Sequence, residues 1–242
     1  MGRINSIFTG SAVDGPGVRS VVFFQGCPLR CAYCHNPETQ NPSGGEEITA
    51  DALFNKISRY ANYYGKRGGV TFSGGEVLMQ PEFLIELLKL CKGAGIHTCI
   101  DTSGCTGNST PDEIFRLVDL VILDIKMNTE SDYEKYIKGS LLKTLDFLEK
   151  CEEYNVPVWI RQVTVPHIND TEEQIQMLKK LTVGKKCIQK LQLLPFERLC
   201  EKKYSDMGIA FPMGDTPAMD KDRLSELQRL LDEKKGTYNN EI

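Results

Sequence analysis

Short apolar runs of strand length alternate with longer amphipathic stretches along most of the chain. Residues 18–24, 69–72, 97–101, 120–125, 156–165 and 188–194 are rich in Val, Ile, Leu or Phe and are predicted strands. Helical patterns lie between and after them, over 51–64, 81–94, 111–118, 141–154, 171–181 and 221–235. Thr49 stands where an N-cap belongs, Pro81 opens the second helix and Gly95 stops it. Leu224, Leu227, Leu230 and Leu231 share one face of the last helix, which predicts docking on the sheet. Six β-then-α units imply an α/β fold with a parallel sheet and right-handed crossovers. Such a sheet is either doubly wound or a partial barrel, and in both the chemistry collects at the carboxyl ends of the strands. The polar stretch 38–47 reads as a surface loop. No linker or low-complexity segment interrupts the pattern, so residues 1–242 are expected to form a single domain.

Composition narrows the class. Apolar residues at 40% and charged residues at 26% are ordinary for a globular chain and argue against disorder. A net charge of −4 gives no general pull toward nucleic acid or anionic lipid. No apolar run approaches the roughly 18 residues of a membrane span. The N-terminus lacks an apolar export core, so a cytoplasmic protein without membrane or nucleic-acid partners is expected. Met1-Gly2-Arg3-Ile4-Asn5-Ser6 matches the loose myristoylation pattern, but the residues after it read as a buried strand, so acylation is not expected. Nine cysteines are many for a chain that needs no disulfides to stabilise its core. Cys91, Cys99, Cys105, Cys151, Cys187 and Cys200 are scattered singly and read as small buried hydrophobes. Cys27, Cys31 and Cys34 are clustered.

The segments that follow the predicted strands are polar in every case. They are Cys27-Pro28-Leu29-Arg30-Cys31-Ala32-Tyr33-Cys34-His35, Ser73-Gly74-Gly75-Glu76, Asp101-Thr102-Ser103-Gly104, Asp124-Ile125-Lys126 and Pro195-Phe196-Glu197-Arg198, with Arg161 inside the fifth strand. That recurrence predicts one shared pocket. Thiolates spaced C-x3-C-x2-C suit zinc or an iron–sulfur cluster. Structural zinc needs a fourth ligand, for which His35 is the nearest choice. A [4Fe–4S] cubane held by three cysteines instead leaves one iron open to another ligand. Asp101 and Asp124, at adjacent strand ends, need a counter-charge, from Lys126 or a bound monovalent cation. Arg161 needs a carboxylate or an anionic ligand for the same reason.

Three thiols after the first strand of a βα repeat, with Gly-Gly-Glu after the second, resemble the radical S-adenosylmethionine (SAM) superfamily. The resemblance implies a partial (β/α)6 TIM-like barrel, open on one side. It also implies a [4Fe–4S] cluster on Cys27, Cys31 and Cys34, with SAM chelated to the open iron. One electron from the reduced cluster splits the sulfonium into methionine and a 5′-deoxyadenosyl radical. More narrowly, Val13-Asp14-Gly15-Pro16-Gly17-Val18-Arg19, Phe23-Phe24-Gln25-Gly26-Cys27, Tyr33-Cys34-His35-Asn36, Thr71-Phe72-Ser73-Gly74-Gly75-Glu76 and Trp159-Ile160-Arg161 are similar to the glycyl-radical-enzyme activating enzymes, in order along the chain. In that family the radical takes a hydrogen from one backbone glycine of a protein target, which keeps a glycyl radical.

The family likeness implies residue roles. Gly74, Gly75 and Glu76 hold the SAM amino group. Tyr33 and His35 flank the adenine. Asp101, Thr102, Asp124, Ile125, Lys126 and Arg161 surround SAM, with a monovalent cation at Asp101 and Asp124. Asp14 bonds the target's glycine segment. Glu197 stands where the family has a SAM-contacting His. No cysteine lies between Cys34 and Cys91, so the ferredoxin-like insert of many relatives is absent and one cluster is expected. That favours pyruvate formate-lyase as target. The tail Lys203-Tyr204-Ser205-Asp206-Met207-Gly208 is more similar to activators of a diol dehydratase or choline lyase. A monomer served by flavodoxin or a similar one-electron donor is expected. Two readings compete: a radical SAM enzyme acting on a small molecule, and a non-enzymatic zinc or cluster protein.

Overall fold

The computed structural model describes residues 1–107 and 109–233. Eight strands form one sheet: β1 (Gly2–Ser11), β2 (Arg19–Phe24), β3 (Glu46–Ile48), β4 (Gly69–Gly74), β5 (His97–Thr102), β6 (Leu120–Asp124), β7 (Val158–Thr164) and β8 (Ile188–Pro195). Their order is β3-β1-β2-β4-β5-β6-β7-β8, parallel from β2 to β8. The six parallel strands are the six expected ones. The sheet ends at β3 and β8 without closing, which is a partial barrel.

Helices α1 (Ala50–Ser58) and α2 (Ala61–Tyr64) precede β4, and α3 (Pro81–Gly93) precedes β5. Then come α4 (Asp112–Leu117), α5 (Glu130–Asp132), α6 (Leu141–Glu153), α7 (Glu172–Thr182), α8 (Glu201–Asp206) and α9 (Lys221–Asp232). Their starts follow from capping chemistry. Side chains of Thr49, Ser140, Thr171 and Asp220 accept from the N–H three residues on, satisfying an orphan donor of the first turn. The leucine face of α9 packs on β8 and α7, with Leu227 and Leu231 fully buried.

Two expectations are corrected, and one strand is added to the parallel core. The helix expected over 51–64 is broken after Ser58. Tyr64 is the reason: its hydroxyl bonds Ser20 Oγ at 2.8 Å and Ile57 O at 2.7 Å, and burying that ring turns the chain back. The loop expected over 38–47 ends in β3, because Ile48 is buried and pairs with Gly2 of β1. The N-terminal strand β1 runs antiparallel to β2 and widens the sheet beyond its parallel core. Lys234 and Lys235, at the end of the last predicted helix, lie outside the described residues.

Strand periodicity of two sorts the side chains between faces. Phe24, Phe72, Ile100, Leu123 and Ile160 join the large core against the helices, where the Phe24 ring lies 5.9 Å from Phe72 and 5.5 Å from Phe83 of α3. Cys99, Leu120, Ile122 and Trp159 form a second, smaller cluster on the opposite face. One step further along that face stand Ser73, Asp101, Asp124 and Arg161, at the carboxyl ends of the strands.

Candidate active site

Those strand ends and the cysteine loop line an open cavity of about 930 Å3, open solvent included. Cys27, Cys31, Tyr33, Cys34, His35, Gly74, Gly75, Glu76, Asp101, Thr102, Asp124, Lys126 and Arg161 all line it. The Gly-Gly-Glu turn is pressed against the start of the cysteine loop. Gly75 N donates to Phe24 O at 3.0 Å and Glu76 N to Gly26 O at 2.9 Å. Gly74 has φ +115, and a Cβ on Gly75 would stand 2.2 Å from Gly26 O, so both positions require glycine.

Three carboxylates and two cations face this space. Glu76 is almost fully buried, and burial raises its pKa despite four donors. Thr102 Oγ1 and Leu78 N reach Oε1 at 2.5 and 3.2 Å; Ser103 Oγ and N reach Oε2 at 2.6 and 2.9 Å. Glu76 thus also locks the 102–104 turn. Arg161 Nη2 donates to Asp101 Oδ1 at 2.7 Å and its Nε lies 3.4 Å from Asp124 Oδ1. Lys126 Nζ holds Asp124 Oδ2 at 3.1 Å, and Ser73 Oγ donates to Asp101 Oδ2 at 2.8 Å. Burial alone would raise Asp124, but Lys126 and Arg161 outweigh it and hold the carboxyl below its usual range. Asp101 is raised, by burial first and then by the Asp124 charge. Lys126 and Arg161 both supply counter-charge to the Asp101 and Asp124 pair. With these five groups ionised, one formal negative charge remains among them.

The donor set fits an iron–sulfur cluster. All nine cysteines are free, and Cys27, Cys31 and Cys34 are the three half-exposed ones. Three free thiols spaced C-x3-C-x2-C along the cavity suit a [4Fe–4S] cluster with one iron left open.

Asp14, Ile125 and Glu197 do not line the cavity. Ile125 is fully buried in the core. Glu197 meets the site through its backbone, its carbonyl accepting from His35 Nε2 at 2.9 Å. Asp14 sits below the cavity: its carbonyl accepts from Thr71 Oγ1 at 2.6 Å and its carboxylate from Ser11 Oγ at 2.5 Å. The loop carrying it is held by Arg19, which is fully buried and donates to Pro16 O, Thr71 Oγ1 and Val70 O at 3.0, 2.7 and 2.6 Å. Ser73 and Ser103 lie in the expected pocket segments, whereas Lys203 and Tyr204 were not expected as site supports. Lys203 Nζ bonds Asn36 Oδ1 at 2.8 Å and Glu38 Oε1 at 2.6 Å, and the Tyr204 hydroxyl bonds Cys34 O at 3.1 Å, so α8 clasps the cysteine loop from outside. No short motif marks Lys203 or Tyr204, because their contacts span more than 160 residues of chain.

Arg19 Nη2 also faces His97 Nδ1 at 3.3 Å, an arrangement only neutral His97 accepts. Burial and then Arg19 lower the His97 pKa, while Asp119 opposes them and the Cys99 thiol lies alongside. The folded state therefore binds fewer protons than the unfolded one as pH falls through about 6.5 toward the depressed folded value. Stability is expected to be unaffected by His97 above that window and to drop within it. Denaturant titrations at pH 7.5 and 5.5 check this: His97→Gln should shrink the difference, and an unchanged difference would show that His97 is not responsible.

The sequence pattern of the radical SAM superfamily matches residues 21–181 of this chain. A pyruvate formate-lyase-activating enzyme of Clostridium pasteurianum is 48% identical over 235 residues, covering 96% of this chain and 98% of its own. The pyruvate formate-lyase 1-activating enzyme of Escherichia coli (strain K12) is 36% identical over 236 residues, covering 96% of each. Among solved structures, a domain of pyruvate-formate lyase-activating enzyme from Bacteroides vulgatus superposes with a TM-score of 0.56 at 25% identity, over 68% of this chain and 92% of that one. Streptococcus suis SuiB bound to S-adenosylmethionine shares the fold, with a TM-score of 0.60 at 17% identity over 87% of this chain and 47% of that one. The chain belongs to the radical SAM superfamily and, through these relatives, to its pyruvate formate-lyase-activating family. That membership brings a [4Fe–4S] cluster and SAM as cofactors.

Proposed function

We propose that this chain activates pyruvate formate-lyase by installing a glycyl radical on it. The observation that carries the reading is the single cavity lined by three free thiols, the Gly-Gly-Glu turn and the Asp101–Arg161–Asp124–Lys126 network. Cys27, Cys31 and Cys34 would hold the cluster, and Glu76, Asp101, Thr102, Asp124, Lys126 and Arg161 would surround SAM. When bound, the two cofactors supply one-electron reductive cleavage and a hydrogen-abstracting radical. The chain's own part is to hold opposite charges at fixed places, keep water from the reacting centre and admit a peptide through the open side of the barrel. We take residues 1–242 as one radical SAM unit with one cluster, acting as a cytoplasmic monomer and fed by flavodoxin or a similar one-electron donor. Among the described residues no helix is long and apolar enough to cross a membrane.

Asp14 is the proposed contact to the target's glycine segment. Its loop enters the barrel beside Thr71, two residues before Ser73 on the same strand face. Asp14→Ala should keep the cluster and SAM binding but reduce glycyl radical formation severalfold, while slow uncoupled SAM cleavage persists. The assay is anaerobic reconstitution with iron, sulfide, SAM, a reductant and candidate targets, read by electron paramagnetic resonance. A glycyl radical on a diol dehydratase or choline lyase, and none on pyruvate formate-lyase, would change the target. SAM cleavage accelerated by a small metabolite and by no glycyl radical enzyme would replace the reading altogether.

A further inference from the structure

Between α5 and α6 the chain makes a single π-helical turn, Tyr133–Ile137, ended by Lys138 in the left-handed region at φ 57. Isolated π turns are rare and concentrate at functional sites. Here the last carbonyls of the turn, which have no partner inside it, are used by the cysteine loop. Arg30 N donates to Ile137 O at 2.9 Å and Ala32 N to Tyr136 O at 2.7 Å. The amides on both sides of Cys31 therefore rest on this turn. Gly139, just after it, allows the close approach: a Cβ there would stand 2.7 Å from the Leu29 side chain.

The same turn reaches the strand end at Lys126 through one hydroxyl. Tyr133 is fully buried, and its Oη accepts from Lys126 N at 2.9 Å. The carbonyl of Lys126 accepts from the Tyr33 hydroxyl at 3.1 Å, so the backbone of this residue is gripped by the cysteine loop at its carbonyl and by the turn at its amide. Thr144 Oγ1 lies 3.2 Å from Tyr133 Oη and donates its single proton to Ser103 O at 2.8 Å. Tyr133 must then be the donor to Thr144. The result is a directed chain from Lys126 N–H through Tyr133 and Thr144 to the carbonyl of Ser103, whose own N–H and hydroxyl hold Glu76.

We propose that the Tyr133–Ile137 turn is a gauge that sets the spacing between the cysteine loop and the Lys126 and Ser103 strand ends, with the Tyr133 hydroxyl as its central positioning group. This rests on the reading that SAM binds in the cavity. A ligand that would be held both at the cluster and by the charged strand ends needs those parts in register. Small misplacements of such groups cost large factors in rate.

The test uses the full chain, reconstituted anaerobically, as wild type, Tyr133→Phe, Thr144→Val and the double variant. Iron and sulfide content, SAM titrations followed by the resonance of the reduced cluster, and KM against kcat for SAM cleavage are measured. Both single variants keep the thiols and the backbone carbonyls, so full cluster content is expected in each. Each should bind SAM about tenfold more weakly, as a buried amide or carbonyl loses its partner. KM should rise more than kcat falls, and the SAM-bound cluster signal should shift. The double variant should be little worse than the weaker single one, because both interrupt the same chain. Wild-type affinity with an unshifted signal in both single variants would overturn the gauge. So would strictly additive losses, or variants that lose the cluster itself. A wild-type chain that holds its cluster yet ignores SAM would overturn the SAM reading instead, and the gauge with it.

Discussion

Replacing Cys27, Cys31 or Cys34 with Ser, one at a time, abolishes the [4Fe–4S] form and SAM cleavage, while Ser at Cys91, Cys99, Cys105, Cys151, Cys187 or Cys200 preserves both. The first three line the cavity, and the other six are buried. A hydroxyl is a poor ligand for iron where a thiolate is a good one. Burial pushes the free Cys27 thiol up to about 12, and the free Cys31 thiol up to about 11 although Lys126 pulls it down. Ligation must displace those protons, so only a soft, strongly held metal centre keeps these thiolates deprotonated. The six distant substitutions should each cost roughly 1 kcal/mol of stability, the ordinary range for a single change. Iron and sulfide analysis beside a SAM-cleavage assay decides the matter. A folded variant at one of the six that lost the cluster would show that a ligand has been misassigned.

The second large effect is on stability. Arg161→Met should lower the unfolding free energy by about 3 kcal/mol, the low end for removing one partner of a mostly buried ion pair, since Lys126 remains. For a chain of this size that is a drop of roughly 6–12 °C in melting temperature. The pH dependence gives the loss its signature. In the wild type, Asp124 lies below its usual range, so its contribution is present above the unfolded carboxylate pKa and is lost as pH falls through the lower folded value. In the variant, Asp101 and Asp124 face each other without the guanidinium, and their folded pKa values rise. Protonation then favours the folded state, and the deficit relative to wild type should shrink between pH 8 and pH 5. Thermal denaturation across that range checks it. A deficit of constant size would mean that Arg161 contributes packing alone.

What the sequence determined by itself is local. The spacing of Cys27, Cys31 and Cys34, the Gly74-Gly75-Glu76 turn, the cap at Thr49 and the six parallel strands are each written within a window of about ten residues, where periodicity, ligand chemistry and glycine's conformational range act. The tertiary structure alone decided whatever depends on which strand lies beside which. The pairing of Arg161 with Asp101 joins residues 60 apart in sequence, and that of Tyr33 with Lys126 joins residues 93 apart. Tyr64 ends α1 because its ring finds Ser20, which no helical propensity records. Glu197 stands at the site's rim through a carbonyl, a group every residue has, so its side chain could not announce it. Tyr133 and Thr144 carry no motif, because a buried hydroxyl acquires meaning only from the donors and acceptors that folding brings to it. The sequence puts Asp101 and Asp124 at adjacent strand ends and Arg161 inside a strand, but the sheet's order and register set their common face and which carboxylate each cation neutralises, and hence their pKa values.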